Sequence, residues 1–144
     1  MAYKIFLDTN IFLDVFLERT SDWQDAETVL QLAAQNRIDV FTSANNLINV
    51  TYALRKQKLT QAEVITLMEL TLTYVEFADT SKSAFGQALK AGFTDLEDAV
   101  QYYTALQIKG VDYFLTSNTK DYKKASVQLP VITATQFIRM YNRK

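Results

Sequence analysis

The chain has 144 residues, 49% hydrophobic and 22% charged, and its 15 Lys and Arg against 16 Asp and Glu leave a formal net charge of −1. That composition describes one folded domain, residues 1–144, with a sizeable core; it excludes a disordered segment, and only a local basic patch could serve a nucleic acid. Cysteine and histidine are both absent, which excludes disulfides, thiolate nucleophiles, and the imidazole base or metal ligand, so acid–base or metal chemistry must rest on oxygen groups.

No apolar run reaches transmembrane length and no leader pattern opens the chain, so a cytoplasmic protein with no membrane partner is expected. In chain order, the stretch KIFLDTNIFLDVF drives a strand, Tyr3–Leu7, into Asp8-Thr9-Asn10 and then resumes apolar residues at helical spacing. Asp after a strand and before a helix is a preferred N-cap, and it is equally the first piece of a site. Thr9 and Asn10 suit either role, while Asp14 reads as a surface acid. Trp23, Ala26, Val29, Leu30 and Ala33 then form an apolar stripe at the 3.6 period, followed by a strand at Asp39–Thr42. Leu47, Val50, Ala53 and Leu54 repeat the helical stripe, and Thr60-Gln-Ala-Glu63 is a capping-box pattern that opens the next helix.

A strand at Tyr74–Phe77 precedes a helical segment, Ala84–Ala91, stopped by Gly92. Thr94-Asp-Leu-Glu97 is a second capping-box pattern, starting a helix that Gly110 ends. Strands at Tyr113–Thr116 and Val131–Thr133 complete the series. Strands alternating with helices imply a parallel sheet covered on both faces, with ligands beyond the carboxyl ends of the strands. Asp8, Ser43, Asp79, Ser117 and Asn118 fall near that edge.

Two stretches give that edge its chemistry. In FTDLEDAVQYYTAL, Asp95 and Asp98 stand three apart and share one face of a first helical turn. Acids there suit the helix dipole, which accounts for Glu97, but Asp98 leads directly into the apolar part of its helix. In FLTSNTKDY, Thr116, Ser117, Asn118 and Asp121 follow an apolar strand, as turn formers also do. If Asp8, Asp98 and Asp121 converge, each pair of charges about 4 Å apart costs on the order of 4 kcal/mol at an effective dielectric near 20. A fold with roughly 5–15 kcal/mol of net stability needs relief from protons or a cation. An all-oxygen site suits Mg²⁺ or Mn²⁺, which would hold a phosphate oxygen and activate water for phosphodiester hydrolysis.

FLDTN at the first strand, DLEDAVQYYTA opening a long helix, LTSNTKDY after the fourth strand and LPVITATQFI at the end resemble, in this order, the PIN-domain family. Its familiar members are the VapC-type ribonuclease toxins of bacterial toxin–antitoxin pairs. The resemblance implies a three-layer α/β/α sandwich with a parallel sheet ordered 3-2-1-4-5, Mg²⁺ or Mn²⁺ held by clustered acids, and cleavage of RNA. It also implies a blocking antitoxin and self-association into a homodimer. Carried over by position, Asp8 matches the first-strand acid, Asp98 the acid of the long helix, and Asn118 and Asp121 the polar pair after the fourth strand. These four are the expected catalytic residues. Asp8, Asp98 and Asp121, with Asp95 beside them, are the expected metal set, supported by Thr9, Asn10, Asn49 and Thr116.

Two positions depart from the family. Its usual Glu after the second strand is here Asn49, which adds no charge and should lower metal affinity. Its frequent Arg after the fourth strand is here Ser117, which removes a phosphate contact. These departures motivate the rival reading, a PIN-fold binding module that has lost catalysis and acts through protein or RNA partners. A phospho-acceptor switch built on Asp79 and Lys120 lacks the paired acids such sites carry after the first strand. Lys120, Lys123 and Lys124 could contact an RNA backbone. Arg55, Lys56 and Lys58 read as a solvated helix end, and Tyr102 and Tyr103 as packing residues.

Overall fold

Alternation within the first strand sets the two faces of the sheet. In the computed structural model, which describes residues 2–125 and 128–143, β1 spans Lys4–Leu7, β2 Asp39–Thr42, β3 Val75–Phe77, β4 Tyr113–Leu115 and β5 Val131–Ile132. Every neighbouring pair is parallel, in the order β3-β2-β1-β4-β5. Ile5 and Leu7 join Val40 and Leu115 in one apolar cluster, whereas Phe6 joins Phe114 in the other. Both faces are therefore covered, which is why these strands read as unbroken apolar runs.

The helices are α1 (Thr9–Leu17), α2 (Trp23–Ala34), α3 (Ala44–Lys56), α4 (Gln61–Leu72), α5 (Lys82–Lys90), α6 (Leu96–Leu106) and α7 (Ala134–Asn142), with a short 3-10 turn at Thr119–Tyr122. Ile11 and Phe12 of α1, Val29 of α2, Val50 and Leu54 of α3 and Phe137 of α7 fill the first cluster. Tyr102 and Ala105 of α6, with Tyr122 and Leu129, close the second, where the rings of Phe6 and Phe114 stack at 5.4 Å. The result is the three-layer α/β/α sandwich expected from the sequence. Among the described residues, no helix is long and apolar enough to cross a membrane.

Most element boundaries shift by a residue or two, for local reasons. Thr133 leaves β5 to cap α7, accepting from the Gln136 amide in a reciprocal capping box. The box at Thr60 forms as expected. The one expected at Thr94 does not: Asp95 is the N-cap of α6, because its carboxylate reaches the amides of both Glu97 and Asp98. Gly92, at φ +77°, lies just past α5 and takes the left-handed conformation that a side chain would resist. α6 itself ends at Leu106, before Gly110.

The strand order also places the site. From β1 the chain proceeds through β2 and β3 on one side, then returns to β4 and β5 on the other. Connections leaving β1 and β4 therefore diverge and open a crevice at their carboxyl ends. Asp8 stands at that point, its amide donating to the Leu115 carbonyl at 3.0 Å, one residue beyond β1.

Candidate functional site

Asp8 occupies the N-cap position of α1, yet its side chain makes no capping hydrogen bond. It is 2% exposed, and its Oδ2 accepts from Thr116 Oγ1 at 2.6 Å, with a longer contact from Asn10 Nδ2 at 3.5 Å. Burial pushes its pKa upward, opposed by hydrogen bonds from Thr116, Gln101 and Asn10. Thr9, expected among the supporting groups, contributes none of these contacts: its hydroxyl is buried without a partner.

Gln101, which no sequence motif marks, also reaches this carboxylate. It lies three residues after Asp98 on α6, and its Oε1 accepts from Asn46 Nδ2 at 2.8 Å. An amide has one donor and one acceptor end, so the bond from Asn46 leaves the Gln101 NH₂ free to face Asp8. Asn46, fully buried at the start of α3, also donates to Thr42 Oγ1 and to the Leu7 carbonyl. The available signal was a polar residue at a core position of an otherwise apolar helix face.

Asp98 sits in the first turn of α6, half-buried, accepting from the Tyr122 hydroxyl at 3.3 Å. Its pKa is pushed up to about 7, first by burial and then by the charges of Asp8, Asp95 and Asp121. The acids separated in sequence therefore do share one region. Burial, with the neighbouring Asp8 and Asp98 charges, also raises the Tyr122 pKa, so the phenol stays a neutral donor. Asp121 is exposed and accepts from Asn118 Nδ2 at 2.6 Å, while the Asn118 amide donates to Thr116 Oγ1 at 3.1 Å. Asp95, an expected metal ligand, commits Oδ1 to the helix cap, bonding the Glu97 amide at 2.8 Å and that of Asp98 at 3.3 Å.

Asn49 donates to Glu97 Oε2 at 2.6 Å. Glu97, read from the sequence as an ordinary acid of a helix N-terminus, thus turns toward α3 and brings a charge to the position where Asn49 has none. Asp14 likewise departs from expectation: it is 2% exposed, and its Oδ1 accepts from Arg19 Nε at 2.8 Å. That is the one ion pair among the described residues, and it leaves Asp8, Asp95, Asp98 and Asp121 without a paired cation.

Among the described residues, no three acidic side chains form a ready-made metal cage. The arrangement instead suits a hard cation that keeps most of its waters and takes one or two carboxylates directly, as Mg²⁺ does. Lys120, Lys123 and Lys124 are exposed on and beside the turn that carries Asp121. Arg55 donates to the Leu59 carbonyl at 3.2 Å and belongs to the end of α3. Asp79 follows the edge strand β3, two strands from Asp8. Tyr102 is fully buried and bonds the Leu129 carbonyl.

Comparison with known proteins places this geometry. Residues 4–120 match the family model described as PIN domain. The chain is 24% identical to Ribonuclease VapC1 of Aquifex aeolicus over 144 positions, covering 96% of each protein. Among solved structures it resembles VapBC2 of Rickettsia felis bound to a promoter DNA fragment, with a TM-score of 0.67 at 19% identity, covering 90% of this chain and 98% of the other. It also resembles VapC20 of Mycobacterium tuberculosis, a Sarcin-Ricin loop cleaving toxin, with a TM-score of 0.57 at 18% identity, covering 76% of this chain and 86% of that one.

Proposed function

The chain belongs to the PIN-domain family, and from that premise we propose that it is a Mg²⁺- or Mn²⁺-dependent endoribonuclease, the toxin of a toxin–antitoxin pair. The observation that carries the reading is Asp98, whose pKa stands at about 7 among Asp8, Asp95 and Asp121, with no cation among the described residues paired to any of them. The relatives named ribonuclease and toxin support it.

In this reading Asp8, Asp98 and Asp121 would hold the ion, directly or through waters, with Asn118 positioning Asp121. A bound divalent ion supplies a counter-charge for the scissile phosphate and a more acidic water. The chain supplies the rest. Thr116, Asn10 and Gln101 aim Asp8 and oppose the burial that raises its pKa, and Tyr122 fixes one oxygen of Asp98. Glu97, held by Asn49, provides the negative charge that Asn49 itself lacks. Asp95 shapes the first turn of α6 and so places Asp98. Lys120, Lys123 and Lys124 meet the RNA backbone on the side of Asp121.

Exposed apolar surface supports a reading of the partners. Tyr52, Ile65 and Leu72 on α3 and α4 border a groove of about 520 Å³. Phe85 and Leu96 on α5 and α6 border another of about 340 Å³, whose lining includes Glu97. Apolar patches of this kind suit an antitoxin and a second copy of the chain, and the site of action is the cytoplasm.

RNA cleavage with Mg²⁺ or Mn²⁺, compared between wild type and Asp98→Asn, tests the proposal: cleavage lost in the variant supports it, and equal activity in both ends it. The rival reading, a binding module without catalysis, is favoured by Asn49 and by the lack of a three-acid cage among the described residues. Calorimetric titration with Mn²⁺ separates the two, since tight binding removes the rival.

A further inference from the structure

Asn10 links two parts of the structure that the proposed chemistry treats separately. Its Oδ1 accepts from Arg19 Nη2 at 2.8 Å, and its Nδ2 points to Asp8 Oδ2 at 3.5 Å. Arg19 is itself held from behind. Its Nε donates to Asp14 Oδ1 at 2.8 Å, and its backbone amide donates to the Asp14 carbonyl at 3.2 Å. Asp14 is 2% exposed and Arg19 39%, so the anchor is buried and the guanidinium reaches toward the crevice.

Guanidinium has donors and no acceptor, whereas a carboxamide has one end of each kind. Contact with Arg19 therefore admits only the oxygen of Asn10, which turns the NH₂ end toward Asp8. The opposite orientation would set a carbonyl oxygen against a buried carboxylate. Only a fork of several donors in a fixed plane serves Asp14 and Asn10 together; a lysine ammonium is a single point on a flexible stem. From these contacts we infer that Arg19 is a positioning residue: clamped by Asp14, it sets the orientation of the Asn10 amide and thereby holds Asp8 ready for a cation. The orientation is a statement about the folded chain; its consequence for the cation rests on the metal-dependent reading above.

Arg19→Lys provides the test, because it keeps a cation for Asp14 and so preserves the fold. Where Arg19→Lys fails to fold, the double variant Asp14→Asn/Arg19→Met removes both charges and takes its place in the same measurements. The first readout needs no metal: the Asn10 side-chain NH₂ resonances in the nitrogen–proton NMR spectrum. They are expected to be resolved and slow to exchange in wild type, and to move toward free-amide values in Arg19→Lys. The second is Mn²⁺ affinity by calorimetry, expected to fall about tenfold in Arg19→Lys, as losses behind a metal ligand do. It should fall no further in Arg19→Lys/Asn10→Ala than in Asn10→Ala alone. Unchanged Asn10 signals in Arg19→Lys, or additive losses in the double variant, would overturn the inference. Shifted Asn10 signals in a protein that takes up no Mn²⁺ would uphold the clamp and defeat the metal-dependent reading instead.

Discussion

Thr116 donates to Asp8 Oδ2 at 2.6 Å across 108 positions of sequence, joining the ends of the two parallel strands, β1 and β4, at which the strand order reverses. Both residues are buried, Thr116 completely. Thr116→Val preserves the shape and removes the donor. Stability is expected to fall by about 2 kcal/mol, as for a hydrogen bond to a charged group, and Mn²⁺ affinity by at least about tenfold. Thr116→Ser should retain most of both. Urea melts and calorimetric titration of the two variants check this.

Asp98 gives a pH prediction. An acid whose folded pKa lies above its unfolded value holds its proton more tightly when folded, so its ionisation opposes folding. With a folded pKa of about 7, that cost is complete above about pH 8 and absent below about pH 4. Without added metal, stability should therefore rise as pH falls from 8 toward 5, with buried Asp8 shifted in the same direction. The full shift corresponds to about 4 kcal/mol; because Asp98 is only half-buried, solvent screening reduces this to about 1–2 kcal/mol. Asp98→Asn should raise the melting temperature at pH 8 by a few degrees and flatten the pH dependence, while abolishing RNA cleavage.

Metal addition should reverse that cost. A ligand that binds only the folded chain stabilises it by about 2.7 kcal/mol at one hundred times its dissociation constant. Mn²⁺ should thus raise the wild-type melting temperature at pH 8 by roughly 5–10 °C at saturating concentration, with much less effect on Asp98→Asn. A chelator should return the wild type to its starting value and stop cleavage.

The contact between Asn49 and Glu97, at 2.6 Å, predicts a reciprocal pair of variants. Asn49→Glu places a second acid beside Glu97 and sets like charges together, so the metal-free protein should melt several degrees lower, and Mn²⁺ should recover more stability than it does in wild type. Glu97→Gln should weaken Mn²⁺ binding by about tenfold. In Asn49→Glu/Glu97→Gln the acid has changed sides, and affinity should return toward wild type. Thermal melts with and without Mn²⁺ measure all three.

Local pattern was enough to locate the strands to within a residue at each end and to predict the capping box at Thr60, because these depend on neighbours a few positions apart. The sheet order came only with the resemblance of the ordered motifs to the PIN-domain family, and the same motifs nominate Asp8, Asp98 and Asp121 as the acids of the proposed site. Asp14 was misread for the opposite reason. A carboxylate six residues beyond Asp8 looks solvated until the fold buries it and brings Arg19 to it. In sequence Glu97 reads only as a helix-dipole acid and Gln101 carries no motif, because their partners, Asn49 and Asn46, lie on another helix 48 and 55 positions away.

The amino-acid order by itself determined the alternation of strands and helices and confined any acid–base or metal chemistry to oxygen groups, since period, composition and chain order are properties of the line. Only the tertiary structure decided which amide faces which carboxylate, which acid caps a helix and which is pressed against its fellow acids in the crevice. Hydrogen bonds and charge repulsion act across a few ångströms of space, and separation along the chain does not measure that distance.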